Sequence, residues 1–271
     1  MNDTPLALAV SNIAWPAEAL GEALAMLPDL GVTGVEIAPF NIFGRWDDVQ
    51  DQARRLRDDI EQHGLRCVAL QGILYNVPDV HLFESDGSRA ALRRHLENVA
   101  ALAGILGAPA CVFGAPRQRD PGDLPAGEAW GIARGFLRDI GPVFHAYGTA
   151  LAFEANASRY ACRFVTTTTE GAKLVADIAT PGIALQIDTG TIFLESEDPC
   201  VLLKAAPFAV HAHISEPDLQ PIGSAGLDHA PIAAALRASS YGGVLSLEMR
   251  ASPDWRGALR EAISLAHGIY A

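Results

Sequence analysis

Four segments of this chain carry groups able to hold a metal ion or move a proton. Val210-His211-Ala212-His213-Ile214-Ser215-Glu216-Pro217 sets two histidines at alternate positions of an apolar run. Alternate side chains of a strand share a face, so His211 and His213 point the same way. The runs Thr149 to Glu154, Ile183 to Asp188 and Gly243 to Glu248 each end on a carboxylate. Brought together, Glu154, Asp188 and Glu248 form a cluster of anions, and burying an unpaired carboxylate costs roughly several kcal/mol. None of the four segments contains lysine or arginine, and Arg250 lies just past the last of them. A divalent cation held by Glu154, Asp188, His213 and Glu248 would neutralise the cluster. Three oxygen ligands and one nitrogen suit Mn2+, Mg2+, Co2+ or Zn2+ and discriminate weakly among them, with Mn2+ taken as the favoured ion. Taken singly, each residue has a plainer use: a strand-end carboxylate caps a helix or pairs at the surface, and a buried histidine hydrogen-bonds in a core. Four of them in phase on successive strands point to a joint site.

To converge, these segments must be neighbouring strands of one sheet. Strands are predicted at Leu6–Val10, Gly34–Ile37, Arg66–Gln71, Ala110–Phe113, Thr149–Glu154, Ile183–Asp188, from Val210 onward, and at Gly243–Glu248. Helices are predicted between them at Pro16–Leu30, Trp46–His63, from a Ser88 cap to Leu106, and at Glu128–Tyr147, Thr168–Ala179, Pro199–Ala205, Pro231–Ser239 and Asp254–Gly268. Eight strand–helix units without a hairpin signal predict an α/β fold, a single (β/α)8 TIM barrel over residues 1–271. An open doubly wound sheet would carry a glycine-rich loop after the first strand, and Ser11 to Pro16 contains no glycine. Within the strands, Leu151, Phe153, Leu185, Ile187, Leu245 and Leu247 alternate with small or polar residues. The large aliphatics are expected to face the outer helices, leaving Glu36, Gln71, both histidines and the three carboxylates pointing inward at the C-terminal mouth.

Composition sets the remaining bounds. A net charge of -12 disfavours nucleic acid and anionic membrane as partners. The stretch Met1 to Pro5 lacks the basic start of a signal peptide, and no apolar run is long enough to span a bilayer. Cys67, Cys111, Cys162 and Cys200 are far apart without a CxxC pair, so a reduced, cytoplasmic setting is expected. Around the mouth, Asn12, Trp15 and Gln71 are candidate lining residues. Arg117 and Arg119 sit where they would hold a phosphate or carboxylate, unless they are solvated loop charges. Ile222 to Gly226 offers backbone donors to an anion or, as favoured, forms a lid; Asp228 and His229 are expected to close that lid or else to reach the metal.

The strand ends Phe153-Glu154, Ile187-Asp188-Thr189, His211-Ala212-His213-Ile214-Ser215-Glu216 and Leu247-Glu248-Met249 resemble the metal-binding strand ends of the xylose isomerase-like barrels. The resemblance spans the whole chain and is nearest to the sugar phosphate isomerase/epimerase group, ketose 3-epimerases included. It implies Glu154, Asp188, His213 and Glu248 as ligands, with Glu154 and Glu248 also forming the acid/base pair across a small carbohydrate. His211 and Glu216 are then expected to contact substrate, or Glu216 to orient His213, and Arg250 to stand near it. The resemblance further implies a homo-oligomer. Three positions depart from the ketose 3-epimerase pattern: Thr191 replaces a histidine, Leu219 an arginine and Tyr160 a glutamate.

A metal-dependent isomerase or epimerase acting through a cis-enediolate is therefore the leading expectation. The same site also fits a lyase, dehydratase or C–C/C-glycoside cleavage on a keto-sugar conjugate. An endonuclease IV-like phosphodiesterase would need further histidines, where the third and fourth strands here lead into Gln71 and Gly114. A non-catalytic sugar-binding barrel would not need both glutamates.

Overall fold

Eight short runs rich in branched and small residues pair side by side, each in parallel with the next. They are β1 (Leu8–Ser11), β2 (Gly34–Ile37), β3 (Arg66–Leu70), β4 (Ala110–Phe113), β5 (Ala150–Glu154), β6 (Ile183–Asp188), β7 (Ala209–Ser215) and β8 (Val244–Glu248). The order is sequential and β8 pairs back onto β1, closing the barrel. The computed structural model describes residues 6–44, 46 and 49–270. Positions 47 and 48, in the predicted start of the second helix, lie outside them, as do 1–5, 45 and 271.

The outer layer holds α1 (Leu20–Met26), α2 (Gln50–Gln62), α3 (Asp86–Leu106), α4 (Ala126–Ala146), α5 (Thr168–Ile178), α6 (Thr189–Leu194), α7 (Leu202–Ala205), α8 (Ala230–Ala238) and α9 (Trp255–Tyr270). The expected span from Pro16 to Leu30 breaks into two 3-10 turns flanking α1, with Pro28 opening the second. Ser85, not Ser88, caps α3: the two form a capping box in which Ser88 is the third helical residue. The short helix α6 was not expected. Asp188 caps it, accepting from the amides of Gly190 and Thr191. Gly182 (φ 83) starts β6 tight against α4, where a Cβ would fall within 3.0 Å of the backbone of Gly141 and His145.

The two faces of the strands separate as the alternation requires. Leu151, Phe153, Leu185, Ile187, Leu245 and Leu247 join the large core beneath the helices. Ala69, Ala110 and Ala152 form a separate buried cluster, with Val210 packed on it. Small side chains on that inner face leave room for polar neighbours: Glu36, Gln186, His211 and Ser246 are all 1% exposed or less. Two residues further along their strands than Ala152, Gln186, His211 and Ser246 stand Glu154, Asp188, His213 and Glu248. Register pairs Asp188 with His213 and Ser215 with Glu248.

Candidate metal centre and active site

His213 is the hub of the inner mouth. Its ring is 1% exposed, and Nε2 lies 3.0 and 3.1 Å from the two oxygens of Glu36. A carboxylate only accepts, so Nε2–H donates and Nδ1 is the nitrogen presented to the mouth. Ser246 donates to Glu36 at 2.7 Å and fixes that carboxylate in turn. Nδ1 stands 3.4 Å from Glu154 Oε1 and 3.3 Å from Glu248 Oε2, buried and without a hydrogen-bond partner. Asp188, His213 and Glu248 offer ligand atoms that all lie within 4.8 Å of one another.

Asp188 is held from three sides. Thr191 donates through Oγ1 at 2.8 Å and through its amide at 2.9 Å, Gly190 donates its amide at 3.3 Å, and Ser215 Oγ makes a close contact to Oδ1. Burial and the charge of Glu154 nonetheless push its carboxyl above the ordinary aspartate range. Burial acts to lower His213, but Glu36, Glu248 and Glu154 together raise it well above the ordinary histidine range. Burial likewise acts to raise Glu36, and the His213 and His211 rings hold it well below its usual range instead. Surplus negative charge around a buried, unpartnered imidazole nitrogen is what a divalent cation would satisfy, and the donor set fits one.

A cavity of about 520 Å³ opens beside this cluster, lined by Glu154, Glu248, Tyr160, Val112, the β3 loop from Gln71 to Asn76 and the β4 loop from Gly114 to Gln118. Gln71 and Arg117 thus stand where the sequence predicts a substrate. Arg117 donates no hydrogen bond and joins no ion pair among the described residues, whereas Gln71 Nε2 contacts Ser11 Oγ.

Other predicted site residues have different uses. Arg119 is fully buried and donates to the carbonyls of Gly114 (2.6 Å), Phe164 (2.5 Å), Glu154 (2.8 Å) and Val165 (3.5 Å) and to Asn156 Oδ1 (2.7 Å), leaving nothing for an anion. Glu216 is 1% exposed rather than solvated, and it accepts from the amides of Gly223 (2.7 Å) and Ala225 (2.8 Å). The anion that the 222–226 loop binds is therefore internal, and Glu216 does not touch His213. His229 joins the same network, 3.3 Å from Glu216 and 2.7 Å from Tyr270 on α9. Trp15 is a core residue, 2% exposed, and does not line the cavity. His211 is buried beneath His213, its Nε2 3.5 Å from Glu36, rather than beside the cavity. Arg250 is exposed, outside the cavity lining, and its amide donates to the Leu219 carbonyl at 2.8 Å. Asn12 accepts from the Ala38 amide at 2.7 Å, a link between barrel loops.

Three residues that hold the cluster went unassigned by sequence: Ser215, Ser246 and Asn156. Ser246 alternates in phase with Glu248, which could have marked it; Asn156 lies beyond its strand, where no periodicity reaches.

A family model for the xylose isomerase-like TIM barrel matches residues 24–266. The chain belongs to that family. Among solved barrels, a D-psicose 3-epimerase crystallised with D-fructose superposes with a TM-score of 0.83 at 16% identity, covering 98% of this chain and 99% of the other. The D-psicose 3-epimerase of Clostridium cellulolyticum H10 gives 0.82 at 14% identity over 98% and 99%. A 3-keto-D-glucoside 4-epimerase from E. coli gives 0.78 at 17% identity over 97% and 99%. At such identities the likeness concerns the fold. No curated protein sequence matches the chain. Within this xylose isomerase-like barrel, no described helix is long and apolar enough to cross a membrane.

Proposed function

We propose that this xylose isomerase-like barrel is a divalent-metal-dependent sugar isomerase or epimerase that moves a proton through a cis-enediolate. One observation carries the reading: the orphaned Nδ1 of His213 faces two glutamates, and both glutamates also line the cavity. Glu154, Asp188, His213 and Glu248 would hold the ion, with Mn2+ favoured. When bound, such an ion polarises a carbonyl and its neighbouring hydroxyl, acidifying the carbon-bound hydrogen beside them. Glu154 and Glu248 have side chains 11% and 17% exposed, shielded from bulk water yet open to a ligand. One carboxylate takes the proton; the other returns one to the opposite face for epimerisation, or to the adjacent carbon for isomerisation. Gln71 orients a hydroxyl, and the unpaired Arg117 takes a polar or anionic end of the substrate.

Incubating Mn2+-loaded protein with ketoses and their phosphates in D2O is expected to exchange the hydrogen beside the carbonyl. Glu154→Gln and Glu248→Gln should each slow that exchange at least about 100-fold, as loss of a general acid or base does. Exchange that survives both substitutions would overturn the assignment.

A second reading draws on the cavity wall. Ile73, Leu74, Val112 and Pro116 line it, and Tyr75, 55% exposed, stacks on Phe40 with ring centroids 4.2 Å apart. That surface suits a sugar carrying an apolar substituent, and hence cleavage or dehydration of a keto-sugar conjugate. Mass spectrometry of products separates the readings, because epimerisation leaves mass unchanged.

A further inference from the structure

Arg119 and Asn156 lie outside the ligand set, and the chemistry of their contact leaves one arrangement open. A guanidinium can only donate, so the amide oxygen of Asn156 must face Arg119 Nη2, 2.7 Å away. The amide nitrogen is thereby turned to Glu154, donating to Oε2 at 2.8 Å. The other oxygen of Glu154, Oε1, is the one near His213 Nδ1, at 3.4 Å. Arg119 itself has no freedom: it is fully buried, bonded to the carbonyls of Gly114, Phe164 and Glu154, and its guanidinium lies 4.7 Å over the Phe153 ring. Beside this contact stands Gly114, where an added Cβ would come within 3.0 Å of Oε2 and within 3.4 Å of the Asn156 amide.

We infer that Arg119 and Asn156 form a positioning relay that gives the two oxygens of Glu154 separate tasks. Asn156 Nδ2 pins Oε2 and keeps it off the ion, so Glu154 meets the metal through Oε1 alone. Oε2 stays at a set place beside the cavity, where Glu154 handles the substrate proton. Gly114 leaves the room this needs. The inference rests on the metal centre proposed above and adds Asn156 as a positioning residue, with Arg119 acting through it.

The decisive variant is Asn156→Asp. Its carboxylate keeps the shape and still accepts from Arg119, more strongly than an amide, but has no hydrogen for Glu154. If Asn156 serves only the fold, this protein melts lower, because a second carboxylate now faces Glu154, but binds and turns over like the wild type. The relay instead predicts, whatever the change in melting temperature, a KM within about threefold and a kcat for D2O exchange lowered about 10- to 100-fold, the usual cost of losing an outer partner of a ligand. Asn156→Ala and Gly114→Ala, stripped with chelator and titrated with Co2+ by calorimetry, should each bind at least about tenfold more weakly. Wild-type kcat in Asn156→Asp together with wild-type Co2+ affinity in the other two would overturn the relay. The Co2+ titration needs no sugar, so a protein that binds Co2+ but exchanges no sugar hydrogen still decides the relay while refuting the sugar reading. A wild-type protein that takes up no Co2+ refutes both.

Discussion

His213 is shared between two kinds of partner, and the division sets its behaviour with pH. Its Nε2 is committed to Glu36, and its Nδ1 is surrounded by carboxylates that raise its proton affinity. An entering cation must displace that proton, and Asp188 also holds its proton above the ordinary range. Metal uptake should therefore release protons and tighten as pH rises from about 6 to 8, around the ordinary histidine value of about 6.5 and above it. Calorimetry in two buffers of different ionisation enthalpy measures the release; zero protons per ion would mean that His213 Nδ1 is not a ligand. Arg117 makes a separate prediction. Having no hydrogen bond or ion pair among the described residues, it can be cut to alanine with little structural cost, so Arg117→Ala should raise KM for a phosphorylated or carboxylated sugar about tenfold or more and leave Tm within about 1 °C. Equal KM values for neutral and anionic sugars in both proteins would remove Arg117 from substrate recognition.

The loop after β7 is an element folded around one buried side chain. Glu216 gathers two amides and His229, and His229 ties the loop to α9 through Tyr270. Burial lowers the proton affinity of His229, so Glu216 is served mainly by neutral donors at neutral pH. Glu216→Ala takes the charged acceptor from the amides of Gly223 and Ala225, and because both residues are exposed and water can take its place, the cost for each falls below the about 1–3 kcal/mol of a buried orphan. Limited proteolysis of that variant should cut first between residues 221 and 228, at a protease level that spares the wild type. Cleavage elsewhere first would mean that Glu216 does not hold this loop. The α6 helix shows the same economy, since one carboxylate of Asp188 caps it and also faces the centre. The fold contains the plain reading of that residue, a helix cap, and the ligand role proposed for it uses the same carboxylate.

For the whole barrel, the cluster links stability to pH and to metal. A group whose folded proton affinity is raised stabilises the fold below its unfolded pKa and loses that contribution as pH climbs through the folded value. His213 is such a group, so metal-free protein should lose melting temperature as pH rises beyond about 6.5. Glu36, shifted the other way, contributes above about 4.3 and is lost only in strong acid. Mn2+ at about 100 times its Kd adds about 2.7 kcal/mol and should flatten the alkaline decline. A Tm of the stripped protein that is flat between pH 6 and 9, with no gain on adding Mn2+, would contradict a buried centre built on His213.

Much of this was legible in the chain because it obeys short periods. Alternation within six residues separated Leu185 and Ile187 from Gln186 and Asp188, and strand–helix alternation predicted a closed parallel barrel. What alternation cannot supply is the partner across the barrel. Glu36 and His213 are 177 positions apart, and only closure of the sheet makes them neighbours. For the same reason Arg117 and Arg119 look alike as sequence. Packing alone decides that one lines the cavity while the other is sealed among carbonyls from the end of β5 and the segments after β4 and β5. Local order follows from backbone geometry that each strand carries in itself; the division of labour among polar side chains follows from who meets whom in the interior, where an unmet partner is costly.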